Sequence, residues 1–482
     1  MLKLIIFKEL REVIGSAKFV ATFGICSILI ILAFFAGIKN YETSLEEYNA
    51  STAANLRTYK DTTDWDHVRD HRIVLTPMPL ASLIIGLSND VPRAAYINGR
   101  DLPSLSTSNY SQQPVFSVFR FLDLEFVFQV ILSLFAILFA FDAINGEKER
   151  GTLRLSFANS LPRAGYILGK LAGSFLALAL PLIIPILIGV LMVSVMGISL
   201  TADEWIRLGL FILCGMLYLG VFLTLSVFIS CLTQRPSSSF LFLLVIWVCS
   251  VLIIPRASVL IAGNTVEVPS AEEISVKRLQ LQRQNARTAD EKFGEAFQQF
   301  LKELRQGNDK SPEFQKRRQE ELYAEVDKLR AKLDKDLNDF TDRLNEERHN
   351  KQIKQEKLAF GISRISPAAV FTLAATTLSD TSMELRNHFM ESAQAYSKSF
   401  ADFFRDKTGK SIDSKMVFDM DQEEKKKQQL PIDINEIPEF VYQAPDLSTI
   451  LHDALPDIAL LILFNLVFFT GAFTAFMRYD LR

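Results

Sequence analysis

The sequence predicts an all-α membrane protein. Six transmembrane helices are expected, with a large extracytoplasmic helical domain, a coiled-coil hairpin, between the fifth and sixth. Three observations carry this. First, 49% hydrophobic and 22% charged residues coexist in one 482-residue chain because the two are segregated along it; an even mixture would suit a compact soluble domain. Second, six apolar stretches approach or exceed the roughly 20 residues that cross about 30 Å of hydrocarbon. Third, a heptad-like stripe of Leu, Val and Phe runs through the most highly charged region. The net charge of −3 removes any whole-protein case for nucleic-acid binding.

In chain order, Leu2, Ile5, Ile6, Phe7, Leu10, Val13 and Ile14 form an apolar face opposite Lys3, Lys8, Arg11 and Glu12. That pattern suits a helix lying in the membrane interface. Phe19–Ile38 is the first span. It has no Ala-x-Ala-like exit and reads as an uncleaved signal anchor. Residues 1–38 are therefore the interfacial helix and first span, and 39–120 an extracytoplasmic loop. Residues 121–254 carry spans two to five: about Phe121–Phe141, Leu171–Ile198, Ile206–Leu232 and Ser239–Ile254. The third contains Pro181 and Pro185, and Pro255 with Arg256 is expected to terminate the fifth. Residues 255–456 form the extracytoplasmic helical domain; 457–482 are the sixth span, about Asp457–Met477, and a tail.

Sidedness follows from Lys and Arg in short flanks. They precede the first span (Lys3, Lys8, Arg11, Lys18) and separate the second from the third (Lys148, Arg150, Arg154, Arg163, Lys170). Arg235 lies between the fourth and fifth, and Arg478 and Arg482 follow the sixth. An even span count puts all four segments on one side, predicted to be cytoplasmic, in a bacterial inner membrane. All four cysteines lie in or beside apolar runs, so no disulfide framework is expected.

Within 255–456, Phe293, Phe297, Phe300 and Leu304 recur at helical steps, then Gln306–Pro312 supplies turn chemistry. Leu322, Val326, Leu329, Leu333, Leu337, Phe340 and Leu344 continue the stripe. Two long helices joined by a short turn predict an antiparallel hairpin, its second arm about Pro312 to Phe360. It either packs on itself or presents a surface to a partner. The apolar part of Ser363–Leu378 is too short to span and is expected as an interfacial or buried helix. A third amphipathic helix should run to about Asp406; Lys407–Lys427 and Pro431–Pro445 read as loops.

The short charged loop 142–170 is the obvious docking point. Asn145-Gly146 should break the preceding helix, and Gly151 should permit close backbone approach. Glu147, Glu149, Arg150 and Arg154 offer charges to a partner. This segment resembles the Glu-x-Glu-x-Gly-Thr-Leu signature of the ABC type-2 permease family, matched here at Glu147, Glu149, Gly151, Thr152 and Leu153. Pro162, Arg163, Gly169, Lys170, the six-span topology and the terminal Arg478-Tyr-Asp-Leu-Arg482 match as well. Within that family, the chain resembles the subgroup of permeases of nitrous-oxide-reductase maturation and of gliding motility. The resemblance covers roughly Met1–Ile254 and Asp457–Arg482; the insertion of about 200 residues between spans five and six departs from it. It implies that Glu147, Lys148, Glu149, Arg150, Gly151, Thr152, Leu153 and Arg154 form a coupling helix seated on a separate ATPase subunit. It also implies a second permease, identical or not, as a partner.

The chain itself should not hydrolyse ATP. Gly165–Leu171 is one residue short of a phosphate loop and has Leu at the hydroxyl position. Gly409-Lys410-Ser411 has Phe404 where the first Gly must be. No catalytic residue and no cofactor are therefore expected here; ATP and magnesium belong to the partner. His67 and His71, four apart with Asp64 and Asp70 nearby, could hold a metal on one helix face, but a polar interfacial helix is the favoured reading. Charges in the membrane are confined to span ends (Asp123, Asp142, Asp457), which disfavours an ion-driven carrier. The leading expectation is the permease subunit of an ATP-driven exporter. The alternative is a mechanotransmission complex acting on a periplasmic or envelope partner through the hairpin. A scaffold without an ATPase is disfavoured by the coupling-like signature.

Overall fold

The computed structural model describes residues 2–60, 62, 64, 65, 68, 70–97, 103–106, 122–153, 157, 162–306, 312–409 and 432–478. The chain divides into two compact units, one of Met1–Ile254 with Arg364–Arg482, the other of Pro255–Ser363. The helical unit thus closes at Ser363, well short of Pro456, and residues 364–456 pack with the first unit.

Among the described residues, six helices are long and apolar enough to cross a membrane. Helix α1 (Leu2–Ile14) precedes α2 (Ala17–Arg57), whose start is capped by Ser16 Oγ accepting the Phe19 N–H. At 1.5 Å per residue α2 is about 60 Å long, twice the hydrocarbon thickness. No Gly or Pro interrupts residues 39–57, so the helix continues where a loop was expected. Past it come β1 (His71–Val74), the short α3 (Pro79–Leu83), β2 (Ala94–Ile97) and β3 (Ser104–Ser106). The strands form an antiparallel sheet in the order β1-β2-β3, with Arg72 opposite Tyr96 and Ala95 opposite Leu105. His71 therefore opens a strand rather than sitting on the expected helix, and His67 lies outside the described residues.

The second span, α4 (Leu124–Glu149), contains a π turn at Val127–Leu132. Asn145-Gly146 does not break it; the chain loosens at Phe141–Ile144, and Asn145–Glu149 is its last helical turn. Then come α5 (Arg163–Val195) and α6 (Ala202–Leu232), the latter begun by a reciprocal capping box between Thr201 and Glu204. Helix α7 (Pro236–Thr265) runs past Pro255 instead of stopping there. The π turn Cys249–Ile253 precedes that proline, which falls in the first turn of the following α segment, where its missing N–H costs least.

After the hairpin the chain returns as α10 (Pro367–Leu378); the hairpin arms themselves are α8 (Ala271–Gln306) and α9 (Pro312–Ser363). Pro367, Ala368, Val370, Phe371, Ala374 and Ala375 of α10 are all buried, packed on α6 and on α12 (Leu447–Met477). The expected short apolar helix is thus a buried one. Ser366 caps it and donates to the Ser250 carbonyl at 2.6 Å, while Gln129 Nε2 donates to Thr372 Oγ1 at 2.7 Å. Both partners sit in the π turns of α7 and α4, where wide turns release backbone and side-chain groups for tertiary bonds. Arg364, just before α10, grips the buried Asp457 of α12 with Nε and Nη2, at 2.6 and 3.0 Å.

A second core joins the sheet to α11 (Glu384–Thr408). Ile73, Ala95 and Ile97 meet Leu385, Phe389, Tyr396, Phe400 and Phe404, with Ile437, Phe440 and Tyr442 closing it. His71 stacks among Tyr59, Tyr396 and Phe400. Its burial there pushes the imidazole down to about 4, so it is neutral at pH 7.

In the other unit α8 and α9 lie antiparallel, as Asn285 Nδ2 donating to the Leu333 carbonyl and Gln355 Nε2 donating to the Val266 carbonyl require. Ile274 and Ala289 face a stripe of Val326, Leu329, Leu333, Leu337, Phe340 and Leu344, all turned inward to some degree. The second arm is thus a heptad seam, as its spacing predicts. Phe297 of the first arm is exposed and stacks on Phe293. The side chains of Phe300, Leu304 and Leu322 and the turn residues 307–311 lie outside the described set, as do the Lys410–Lys427 part of the expected loop and residues 479–482.

Candidate coupling site

Helix α1 packs along the start of α5 because α5 presents glycines there. A Cβ at Gly169 would meet Ile5 Cβ at 2.9 Å, and one at Gly173 would meet Glu9 Cβ at 2.6 Å. With Gly165 these make a glycine every fourth residue, the spacing that lets helix backbones approach closely. The face of α1 turned inward is Ile5, Ile6, Glu9, Leu10 and Val13; Leu4 and Phe7 are exposed. An acidic side chain therefore occupies the middle of the packed face.

Glu9 meets a buried ionic cluster. Lys170 Nζ lies 2.7 Å from Glu9 Oε2 and 2.9 Å from Glu147 Oε1, and each of the three side chains is under 7% exposed. Lys8 approaches Glu147 Oε1 at 3.3 Å from the surface, Tyr166 donates its hydroxyl to Glu147 Oε2, and Ser174 donates to Glu9 Oε1 at 3.3 Å. Burial holds the Glu9 carboxyl above the usual carboxylate range against the opposing pull of Lys170. Two carboxylates sharing one fully buried ammonium tie α1, the end of α4 and the start of α5 into one block.

The residues around Glu147 are fixed by other contacts. Ser230 Oγ accepts the N–H groups of Ile144 and Asn145, each at 3.1 Å, and Asn145 Nδ2 donates to Thr233 Oγ1. Lys148 Nζ reaches the Cys231 carbonyl at 2.7 Å, at the C-terminal end of α6, where a cation also meets the negative end of the helix dipole. Gly151 has φ +73°, which a glycine adopts without strain and other residues rarely do. Among the described residues of this chain no atom lies within 4 Å of where its Cβ would be, so within the chain the backbone conformation is what calls for glycine.

The signature residues thus divide. Glu147 and Leu153 are buried in the chain's own packing, and Lys148 is half-buried with its ammonium on α6. Glu149, Arg150, Gly151 and Thr152 are exposed. Arg150 Nη2 stands 3.8 Å from Glu12 Oε1 on α1. Glu147 does not offer its charge outward. Arg154 lies outside the described residues. Arg163 starts α5 and donates to the Met477 carbonyl at the end of α12. The sequence motifs do not pick out Glu9, Tyr166 or Ser174. The signals that mark them are a lone acid within an apolar helical face and the glycine spacing of α5. Among the described residues, no group of three His, Cys, Asp or Glu side chains could hold a metal.

Two comparisons bear on this arrangement. Residues 4–481 match the family model described as ABC-2 family transporter protein. Over 125 residues the chain is 34% identical to the probable ABC transporter permease protein NosY of Stutzerimonas stutzeri, a match spanning 26% of this chain and 45% of that relative.

Proposed function

The chain belongs to the ABC-2 transporter family, a multi-pass membrane subunit of an ABC transporter, and from that premise we propose that a separate ATPase docks on its exposed Glu149–Thr152 turn. The observation that supports this reading is the division of labour in the signature. Its buried members, Glu147 with Lys170 and Leu153, hold the turn rigidly against α1 and α5, while its exposed members carry opposite charges to a partner. A push on the turn would pass through the Glu9–Lys170–Glu147 cluster into three helices at once. ATP and magnesium would be held by the partner, and this chain would contribute no catalytic group. The docking face is assigned to the cytoplasm, with both termini, in a bacterial inner membrane. A second permease completes the pair, and the direction is export.

The test is charge reversal at the exposed pair, Glu149→Lys with Arg150→Glu. Co-purification of the ATPase should fall by about tenfold or more in apparent affinity, since one desolvated pair at an interface contributes on the order of 1.4 kcal/mol or more. Unchanged co-purification together with unchanged permease-stimulated ATP hydrolysis would overturn the docking assignment.

The hairpin favours a second reading, in which ATP-driven motion is passed to an extracytoplasmic envelope partner. Helix α9 has 52 residues, about 78 Å of continuous helix. Removing Phe293–Val326 shortens both arms near positions that face each other, so the remaining seam can close. Loss of envelope function with an intact ATPase complex supports transmission through the hairpin, and full function in the shortened protein refutes it.

A further inference from the structure

Helix α4 carries the coupling turn at one end and a π turn near the other. From Gln129, inside the π turn, to Glu149 is about 30 Å of helix at 1.5 Å per residue. Backbone bonds continue across the loosened Phe141–Ile144 stretch. Phe141 N–H donates to the Ile137 carbonyl and Gly146 N–H to that of Asp142, both at 2.9 Å. The end far from the coupling turn is anchored, since Asp123 Oδ1 accepts the Phe126 N–H at 2.9 Å and Oδ2 the Ile85 N–H at 3.1 Å. A displacement arriving along α4 must be taken up before that anchor, and a π turn is where a helix bends most readily.

The Gln129 carbonyl accepts from Ser133 Oγ at 2.6 Å and from the Tyr218 hydroxyl of α6 at 2.9 Å, while its amide donates to Thr372 Oγ1 of α10. Among the described residues this is the one side-chain hydrogen bond joining α4 to α10; beside it the Phe128 ring stands 6.2 Å from that of Phe371. Helix α10 is held more firmly elsewhere. Its Phe371 stacks on Tyr218 of α6 with centroids 4.8 Å apart. Ser366 Oγ donates to the Ser250 carbonyl of α7 at 2.6 Å and accepts from the Ser250 hydroxyl at 2.9 Å, both residues being buried. Arg364 adds its two bonds to the buried Asp457 of α12. One neutral bond between half-buried groups is easier to part than these buried and charged ones.

We propose that the Gln129–Thr372 bond is a latch: it parts when a docked ATPase moves α4, while α10 stays with α6, α7 and α12. The inference rests on ATPase docking at Glu149–Thr152. Gln129 Nε2 and Thr372 Oγ1 are 2.7 Å apart. A shift of one residue's rise, about 1.5 Å, therefore takes them beyond hydrogen-bond reach. Latched, α4 and α10 form one block with α6; released, α4 bends at its π turn against a stationary α10. The freed amide and hydroxyl lie in a membrane-spanning region, where polar groups without partners are costly. That cost returns α4 to the latched arrangement once the push ends.

The experiment uses the full chain with its ATPase in lipid nanodiscs, with Cys26, Cys214, Cys231 and Cys249 each replaced by Ala. One pair, Gln129→Cys with Thr372→Cys, is joined by a short bismethanethiosulfonate linker. The other, Ser250→Cys with Ser366→Cys, is oxidised to a disulfide, which the 2.9 Å between the native hydroxyls favours. A non-hydrolysable ATP analogue should slow linkage of the first pair about tenfold and leave the second within about twofold. Once formed, the first link should stop permease-stimulated ATP hydrolysis, reversibly on reduction, and the second should not. Nucleotide-independent linkage of the first pair, nucleotide-dependent closure of the second, or full hydrolysis with the first link in place would each overturn the latch while docking stands. Failure of the ATPase to co-purify with the cysteine-free chain would instead defeat the docking reading, and the latch with it.

Discussion

Replacing Lys170 by Met tests the buried cluster most directly. The ammonium faces two carboxylate oxygens at 2.7 and 2.9 Å. At an effective dielectric of about 20, each contact is worth about 6 kcal/mol of Coulomb energy. Desolvation of the three ions offsets most of that, and breaking a buried pair by deleting one partner typically costs 3–5 kcal/mol. Lys8, Tyr166 and Ser174 remain to hold the two carboxylates, so the expected loss is about 3 kcal/mol, at the lower end of that range. It should be read as the shift in reversible unfolding in mixed detergent micelles. A second readout is tryptic cleavage at Lys8 and Arg11, which should speed up as α1 leaves α5. Neutralising the cluster together, with Glu9→Gln, Glu147→Gln and Lys170→Met, should recover most of the stability, because no buried charge is then unpaired. Unfolding within about 0.5 kcal/mol of wild type in the single variant, with cleavage unchanged, would refute the idea that this cluster fastens α1.

Two further predictions concern other parts of the chain. In the hairpin, Leu337 is buried in the seam, and Leu337→Asp should cost about 3 kcal/mol by burying a lone carboxylate; faster proteolysis inside Pro255–Ser363 and lower helicity would show it, and unchanged resistance would contradict the seam. Beside the second core, the Asp380 carboxylate raises His388 above its ordinary 6.5 despite partial burial. That contribution is fully present below pH 6.5 and is lost as pH rises through the higher folded value. Unfolding midpoints should therefore fall above pH 6.5 in wild type and show less of this fall in His388→Gln; identical profiles would remove Asp380 as the cause.

Much of the architecture is legible in the amino-acid order. Span number and the seam of α9 follow from hydrophobic period and length, which depend on local sequence alone. The continuation of α2 to Arg57 escapes a reading by polarity, because polar residues after Ile38 suggest a loop although nothing between 39 and 57 breaks a helix. Pro255 suggests a terminator because a proline in a run is ambiguous between the first turn and the interior of a helix. Only the preceding π turn decides it. The sheet leaves no clear sequence signal because its strands have only three or four residues and owe their stability to α11, far away in sequence. At the coupling turn, the motif identifies the signature residues but not the side each one faces. Which glutamate points inward depends on Lys170 and Glu9, which lie in other helices and are brought together only by packing.

The fastening of α1 sets an order on biogenesis. Glu9 bonds Ser174, 165 residues further along, and Lys8 reaches Glu147, 139 residues on. During translation at roughly 5–20 residues per second, the amino-terminal helix therefore waits on the order of 10–30 s before its docking partner leaves the ribosome. Through that interval α2 and then α4 are made, while the acidic side chain of α1 waits for its partners on α5. Helix α1 is among the last parts of this block to be locked, and α5 is the piece that locks it.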